Sequence, residues 1–268
     1  MKISFILMLL VCMPCILDAQ SWQRIKHVDR KNIDTFTLDH VGNIYVTDGQ
    51  GSVPKYDESG ELILEYASVQ LAEIHEIVAT SQLKVTLFYK DLQEFVILNR
   101  YLASPVLYRF SDFDLGYVEG VTQNYQQALW VVDLSSFSLK MIDVREKRLL
   151  EEKSLALIFN QKKVEIMSFQ AHQNRMYLID IYSGVQVFDN IGNFLFRLME
   201  HGPEEAGFDK DYLYYQEDGF LNLIHLYSGP DKRLKLPPGE FSKIRYSDDR
   251  LVAVTAQGFD IYKYLSSK

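Results

Sequence analysis

Four aspartates recur through this 268-residue chain in one local setting. Asp48, Asp91, Asp133 and Asp180 each follow a short run of β-branched, aromatic or aliphatic residues, at intervals of 42 to 47 positions. His225 follows a fifth such run: Leu178-Ile179-Asp180-Ile181-Tyr182-Ser183-Gly184 and Leu223-Ile224-His225-Leu226-Tyr227-Ser228-Gly229 align without a gap. Carboxylates gathered from several segments can hold a hard cation or a polyol, which makes Asp133 and Asp180 candidate binding residues. His225, where the pattern breaks, is a third. A plainer chemistry competes with this one, because an aspartate that ends a strand accepts N–H groups from its own turn. Recurrence favours the plainer role: a structural part repeats with its unit, whereas a ligand site breaks symmetry.

Catalytic signatures are missing from the sequence. The histidines at 27, 40, 75, 172, 201 and 225 show no zinc-hydrolase spacing, and no serine elbow, P-loop or dinucleotide-binding glycine motif occurs. No residue is therefore assigned a catalytic role. No resident cofactor or metal is expected, although a divalent cation such as calcium is compatible with the carboxylates.

The elements that must position these residues are short strands. Residues 42–66 and 174–198 repeat one phrase: an apolar run, an Asp, a small-residue turn, a second run, a D-x-x-G turn and a third run. Six such units can be counted, with second strands at 43–47, 85–90, 128–132, 175–179, 221–224 and 251–255. Multi-strand repeats of this length predict an all-β, six-bladed β-propeller. The last unit stops after three strands, while the alternating segment 22–28 is spare. Added as the outer strand of the last blade, it would close the ring and cover an edge. A β-sandwich also accommodates short strands with regular turns, but not their near-constant spacing.

D-x-x-G-N-I-Y-V-T-D at 39–48, followed by V-x-K-Y-D-x-x-G at 53–60, resembles a blade of the NHL-repeat and similar six-bladed propellers. Residues 174–193 are a weaker copy. The resemblance implies the propeller fold and a binding platform. Lactonase-type propellers, which are similar, use a Glu, Asn and Asp set around one divalent ion in the channel. Glu76, Glu119 and Glu165 lie near the expected inner strands and could supply such oxygens, with Asn124 close to Glu119, so Glu119 joins the candidate binding residues. The lactonase motif does not map onto this chain residue by residue.

Composition narrows the partners. The net charge is −8, with no basic stripe, which disfavours nucleic acid and anionic membranes. Met1-Lys2, the apolar stretch 3–17 and Leu17-Asp18-Ala19 form a secretory signal pattern, too short for a transmembrane segment. Residues 1–19 are expected to be removed, leaving 20–268 as a single domain exported to the periplasm or beyond in a bacterium. Cys12 and Cys15 fall in the removed segment, so neither a disulfide framework nor a Cys-zinc site remains. Clustered rings, such as Tyr101, Tyr108, Phe110, Phe113 and Tyr117, would suit a protein, peptide or glycan surface or simply fill space between blades. The expectation is an exported, non-enzymatic binding module for a protein, small molecule or glycan. The alternatives are a metal-dependent, lactonase-like hydrolase working in the channel and a structural subunit of an envelope assembly.

Overall fold

Successive side chains of a strand point to opposite faces of its sheet, and the middle strands of this chain are apolar on both. Val85–Tyr89, Leu129–Asp133 and Met176–Asp180 are buried throughout. A sheet of that kind must be covered on both faces. The computed structural model describes residues 21–49, 51–68, 72–79, 83–124, 128–159 and 163–265, and shows how that is done. Six four-stranded antiparallel sheets stand as blades around a central channel. The expected signal segment, 1–19, lies outside the described residues.

Blade 1 comprises Phe36–Leu38, Ile44–Val46, Ser52–Tyr56 and Leu62–Ala67, and blade 2 Glu76–Val78, Lys84–Tyr89, Glu94–Asn99 and Val106–Arg109. Blade 3 is Val118–Gln123, Leu129–Asp133, Ser138–Asp143 and Arg148–Ser154; blade 4 is Ile166–His172, Arg175–Asp180, Gly184–Asp189 and Phe194–Met199. Blade 5 follows with Ala206–Asp209, Tyr212–Glu217, Phe220–His225 and Lys232–Lys235. Blade 6 takes Lys243–Ser247, Arg250–Thr255 and Gly258–Leu265 from the end of the chain and Ser21–Asp29 from its beginning. Among the described residues a single 3-10 turn, Phe110–Phe113, interrupts the strands.

Six apolar clusters fill the six gaps between neighbouring blades. Met176 and Leu178 pack toward blade 3 with Trp130 and Val132, whereas Tyr177 and Ile179 pack toward blade 5 with Leu213. The last gap joins blade 6 to blade 1 through Val252, Val254, Phe259, Phe36 and Ile44. Phe110 and Phe113 belong to the cluster between blades 2 and 3, so these rings fill space, while Tyr101 and Tyr117 stay exposed.

The N-terminal segment closes the ring as the spacing predicts. Ser21–Asp29 pairs antiparallel with Gly258–Leu265, from Ser21 opposite Leu265 to Asp29 opposite Gly258. Gly258 is required there, because a Cβ would stand 2.0 Å from the Val28 carbonyl oxygen. Trp22 packs against Tyr264 with ring centroids 4.9 Å apart and planes inclined at 59°, and donates its indole N–H to the Lys235 carbonyl of blade 5.

The fifth blade corrects the sequence reading. The run at 221–224 is the core of its third strand, not its second, which is Tyr212–Glu217. The two are joined by a tight turn in which Asp218 and Gly219 both take positive φ, 51° and 76°, the hairpin geometry that Asp-Gly favours. The likeness of 223–229 to 178–184 is thus a match between unlike strands, and it accounts for the short final spacing.

Removal of residues 21–30 should expose the edge of Gly258–Leu265 and open the cluster between blades 6 and 1. The expected outcome is loss of the cooperative thermal transition with aggregation, read by circular dichroism and size-exclusion chromatography; an unchanged melt would contradict closure by this strand.

Candidate functional site

The first strand of each blade lines the channel, and its inner edge has no neighbouring strand. Backbone groups on such an edge still need partners. Side chains reaching from blade to blade contribute five such partners, and one side-chain ion pair completes the ring. Thr35 Oγ1 donates to the His75 carbonyl at 3.3 Å, and Glu76 accepts the Val121 N–H. The Ala171 N–H donates to Thr122 Oγ1 at 2.8 Å, and Gln170 Nε2 to the Ala206 carbonyl at 3.1 Å. Arg245 pairs with Glu205 at 2.5 Å, and Lys243 Nζ reaches the Asp34 carbonyl. These contacts link blades 1 to 2, 2 to 3, 3 to 4, 4 to 5, 5 to 6 and 6 to 1.

The ring surrounds a cavity of about 530 Å³. Its ionisable lining comprises Asp34, Glu73, His75, Glu76, Glu119, Glu204 and Glu205 against Lys243 and Arg245. Carboxylates outnumber cations, so the channel favours cationic or hydrogen-bond-donating groups. Lys90 reaches in from the turn that follows the second strand of blade 2 to within 2.5 Å of Glu119. Arg245 lies over the Phe36 ring at 4.8 Å, which leaves its planar guanidinium fixed between Glu205 and an aromatic face.

Glu76 is the unusual group of the channel. Part of its surface reaches the lumen, but the inner strands wall in its carboxyl, and burial pushes its pKa up to about 8. The Val121 N–H and the charge of Arg245 pull the other way without cancelling burial. At neutral pH the group therefore carries a proton and can donate it or hydrogen-bond with it. Burial also pushes His75 below its ordinary value.

Of the residues singled out by sequence, Glu119 faces the channel, while Asp133 and Asp180 do not. Asp133 is 1% exposed and turns into its own blade. It accepts the N–H groups of Gly116 (3.0 Å) and Ser135 (2.9 Å) and pairs with Lys140 at 2.8 Å. Burial alone would raise this carboxyl, yet Lys140 and the two N–H groups outweigh it and hold it below the usual range. Asp180 likewise accepts from Glu165 and Ser183. Asp48 pairs with Arg30 at 2.9 Å, and Asp91 lies exposed in the turn after Lys90.

His225 is at the opposite face. It ends a third strand, where its backbone N–H donates to Asp231 and its Nδ1 accepts the Tyr227 N–H at 3.1 Å. Glu165 pairs with Lys163 outside the channel, and Asn124 accepts the Ala128 N–H. Among the described residues, no group of three or more His, Cys, Asp or Glu side chains is arranged to hold a metal ion between them. The channel groups that sequence reasoning missed are Asp34, Glu73, Glu204, Glu205, Lys243 and Arg245. They sit in connections or in short inner strands such as Lys243–Ser247, where neither repetition nor alternation marks them.

Asp133→Ala should leave Lys140 with only the longer contact to Glu152 at 3.6 Å and strip the Gly116 and Ser135 N–H groups of their acceptor, destabilising the fold by about 3–5 kcal/mol, measured by urea unfolding. Asp91→Ala should change stability by no more than about 0.5 kcal/mol. Equal effects of the two would refute the division of these aspartates into buried caps and a solvated charge.

No protein-family model and no curated protein matches this chain. Solved structures match its fold. A streptogramin B lyase superimposes with a TM-score of 0.57 at 14% identity, covering 87% of this chain and 79% of the lyase. The virginiamycin B lyase of Staphylococcus aureus gives 0.57 at 12% identity over 92% of this chain and 89% of the lyase. The Pan2 WD40 domain of Neurospora crassa gives 0.65 at 8% identity over 94% and 98% of the two chains. At these identities the likeness is one of fold, shared by an enzyme and a WD40 domain alike. The chain is similar to six-bladed β-propellers, and its architecture is theirs.

Proposed function

We propose that this protein is an exported, non-enzymatic binding module whose central channel receives a cationic or hydrogen-bond-donating group of a protein, peptide or small ligand. The acidic channel carries this reading: a walled concavity in which side chains from all six blades meet, with carboxylates in excess. Two of those carboxylates, Glu119 and Glu205, are held by Lys90 and Arg245 and serve as fixed acceptors. Glu73 and Glu204 at the channel wall contribute negative charge that would attract a ligand from solution. Export rests on the leader pattern of residues 1–19.

The test is affinity capture with the immobilised protein from a native secreted or envelope fraction, at low and high salt. The expected result is a specific ligand retained at low salt, released as ionic strength rises, and bound at least tenfold more weakly by the Glu73→Gln/Glu204→Gln double variant. Failure to retain any partner or ligand, or retention indifferent to both salt and the substitutions, would overturn the proposal.

A second reading, channel catalysis, is favoured by one observation: the proton-bearing Glu76 beside Arg245 is placed to act as a general acid. Its titration has a stability signature. The native state holds this proton more tightly than the unfolded chain, so between the ordinary value of 4.5 and about 8 stability falls as pH rises. Glu76→Gln should flatten the decline in Tm over that window and leave the protein more stable above it. Parallel melting curves of wild type and variant from pH 5 to 9 would contradict a raised Glu76, and with it the catalytic reading.

A further inference from the structure

Blade 4 departs from blades 1 and 3 at one buried charge. In blades 1 and 3 the aspartate that closes the second strand faces a cation, Arg30 beside Asp48 at 2.9 Å and Lys140 beside Asp133 at 2.8 Å. Asp180 is the most enclosed of the three, at 0% exposure. It accepts two N–H groups, from Glu165 at 2.5 Å and Ser183 at 2.6 Å, but no lysine, arginine or histidine among the described residues pairs with it.

Strand register shows what has changed. Lys140 stands two residues beyond Ser138, which lies opposite Asp133; Gln186 stands two residues beyond Gly184, which lies opposite Asp180. A neutral amide thus takes the place of the ammonium. Gln186 Nε2 donates to the Ser183 carbonyl at 2.5 Å, which draws its amide group into the Asp180 turn. Gln186 and Ser183 are 0% and 1% exposed, yet Gln186 Oε1 and Ser183 Oγ have no hydrogen-bond partner. Buried oxygens without donors and a buried carboxylate without counter-charge are both costly, and native proteins rarely keep them together.

One species satisfies all three. We propose that the blade 4 turn binds a hard metal cation, Na⁺ or Ca²⁺, through the Asp180 carboxylate, Ser183 Oγ and Gln186 Oε1, in place of the ammonium that Lys140 supplies in blade 3. The free oxygens include no nitrogen or sulfur competitor, which is the donor chemistry of such cations rather than of zinc or copper. The site lies away from the channel and holds blade 4 together rather than presenting a reactive metal to solvent. Its depth means that exchange proceeds through local opening of the turn.

The purified protein, stripped with chelator and dialysed into choline chloride, is melted while NaCl or CaCl₂ replaces choline at constant ionic strength. A saturable rise in Tm of about 2 °C or more is expected with one of the two salts, with one ion per chain by elemental analysis. Gln186→Lys should place an ammonium on Asp180 and abolish the response. Gln186→Met, which keeps the shape and removes Oε1, should raise the midpoint concentration at least tenfold. A wild-type Tm indifferent to both salts would mean that water fills the turn and would overturn the proposal. So would a Gln186→Lys or Gln186→Met protein that responds as the wild type does, since the ion would then bind elsewhere.

Discussion

Burial of both faces of every four-stranded sheet against its two neighbours is the constraint on which the molecule depends. Each blade shares its apolar residues with the blades beside it: Met176 and Leu178 belong to one gap, Tyr177 and Ile179 to the next. Side chains such as Trp130, Tyr177 and Phe88 are fully enclosed only because a neighbour is present, and each contributes on the order of 1.5–3 kcal/mol through that burial. An open array would leave two faces uncovered. Closure through Ser21–Asp29 is therefore a condition of stability, and it ties the first strand of the chain to the last.

The same geometry creates the channel and decides its chemistry. Six inner edges converge, each with backbone groups that no strand can pair, and side chains from adjacent blades must serve them. Thr35, Glu76, Thr122, Gln170 and Lys243 do so while pointing at a common axis. Polarity at the centre is thus a consequence of edge satisfaction, and an acidic surplus and the raised Glu76 are added to it. The repeated aspartates solve a different problem. Asp48, Asp133 and Asp180 accept N–H groups around their own blade, which explains why they recur and stay out of the channel, while Asp91 is a solvated turn charge.

Legibility of the fold and of the site differed for physical reasons. Second strands such as Leu129–Asp133 have both faces buried and read as unbroken apolar runs, so blade number and strand spacing could be read directly. The spare segment 22–28 is recognisable as an outer strand, whose Trp22 packs into the gap toward blade 5 and whose Val28 packs into the gap toward blade 1, while Ile25 between them is exposed. Blade 5 misled because Leu223–Gly229 shares side-chain pattern with Leu178–Gly184, and pattern does not record which neighbour a strand pairs with. Glu119 was found because it neighbours a strong strand, whereas Arg245 and Glu205 meet across forty residues of sequence and carry no local mark.

What the sequence determined by itself is the repeat: strands of a given length, turned by Asp and Gly, apolar enough on both faces that only a closed ring can bury them. Hydrophobic period and turn chemistry are local properties, and local properties survive in a string of residues. Only the tertiary structure decided which carboxylates share the channel, which turn inward upon a lysine or a pair of N–H groups, and that His225 stands on the far face. Those outcomes depend on ring closure, because charges interact through space and over a few ångströms, at distances that the order of residues along the chain does not contain.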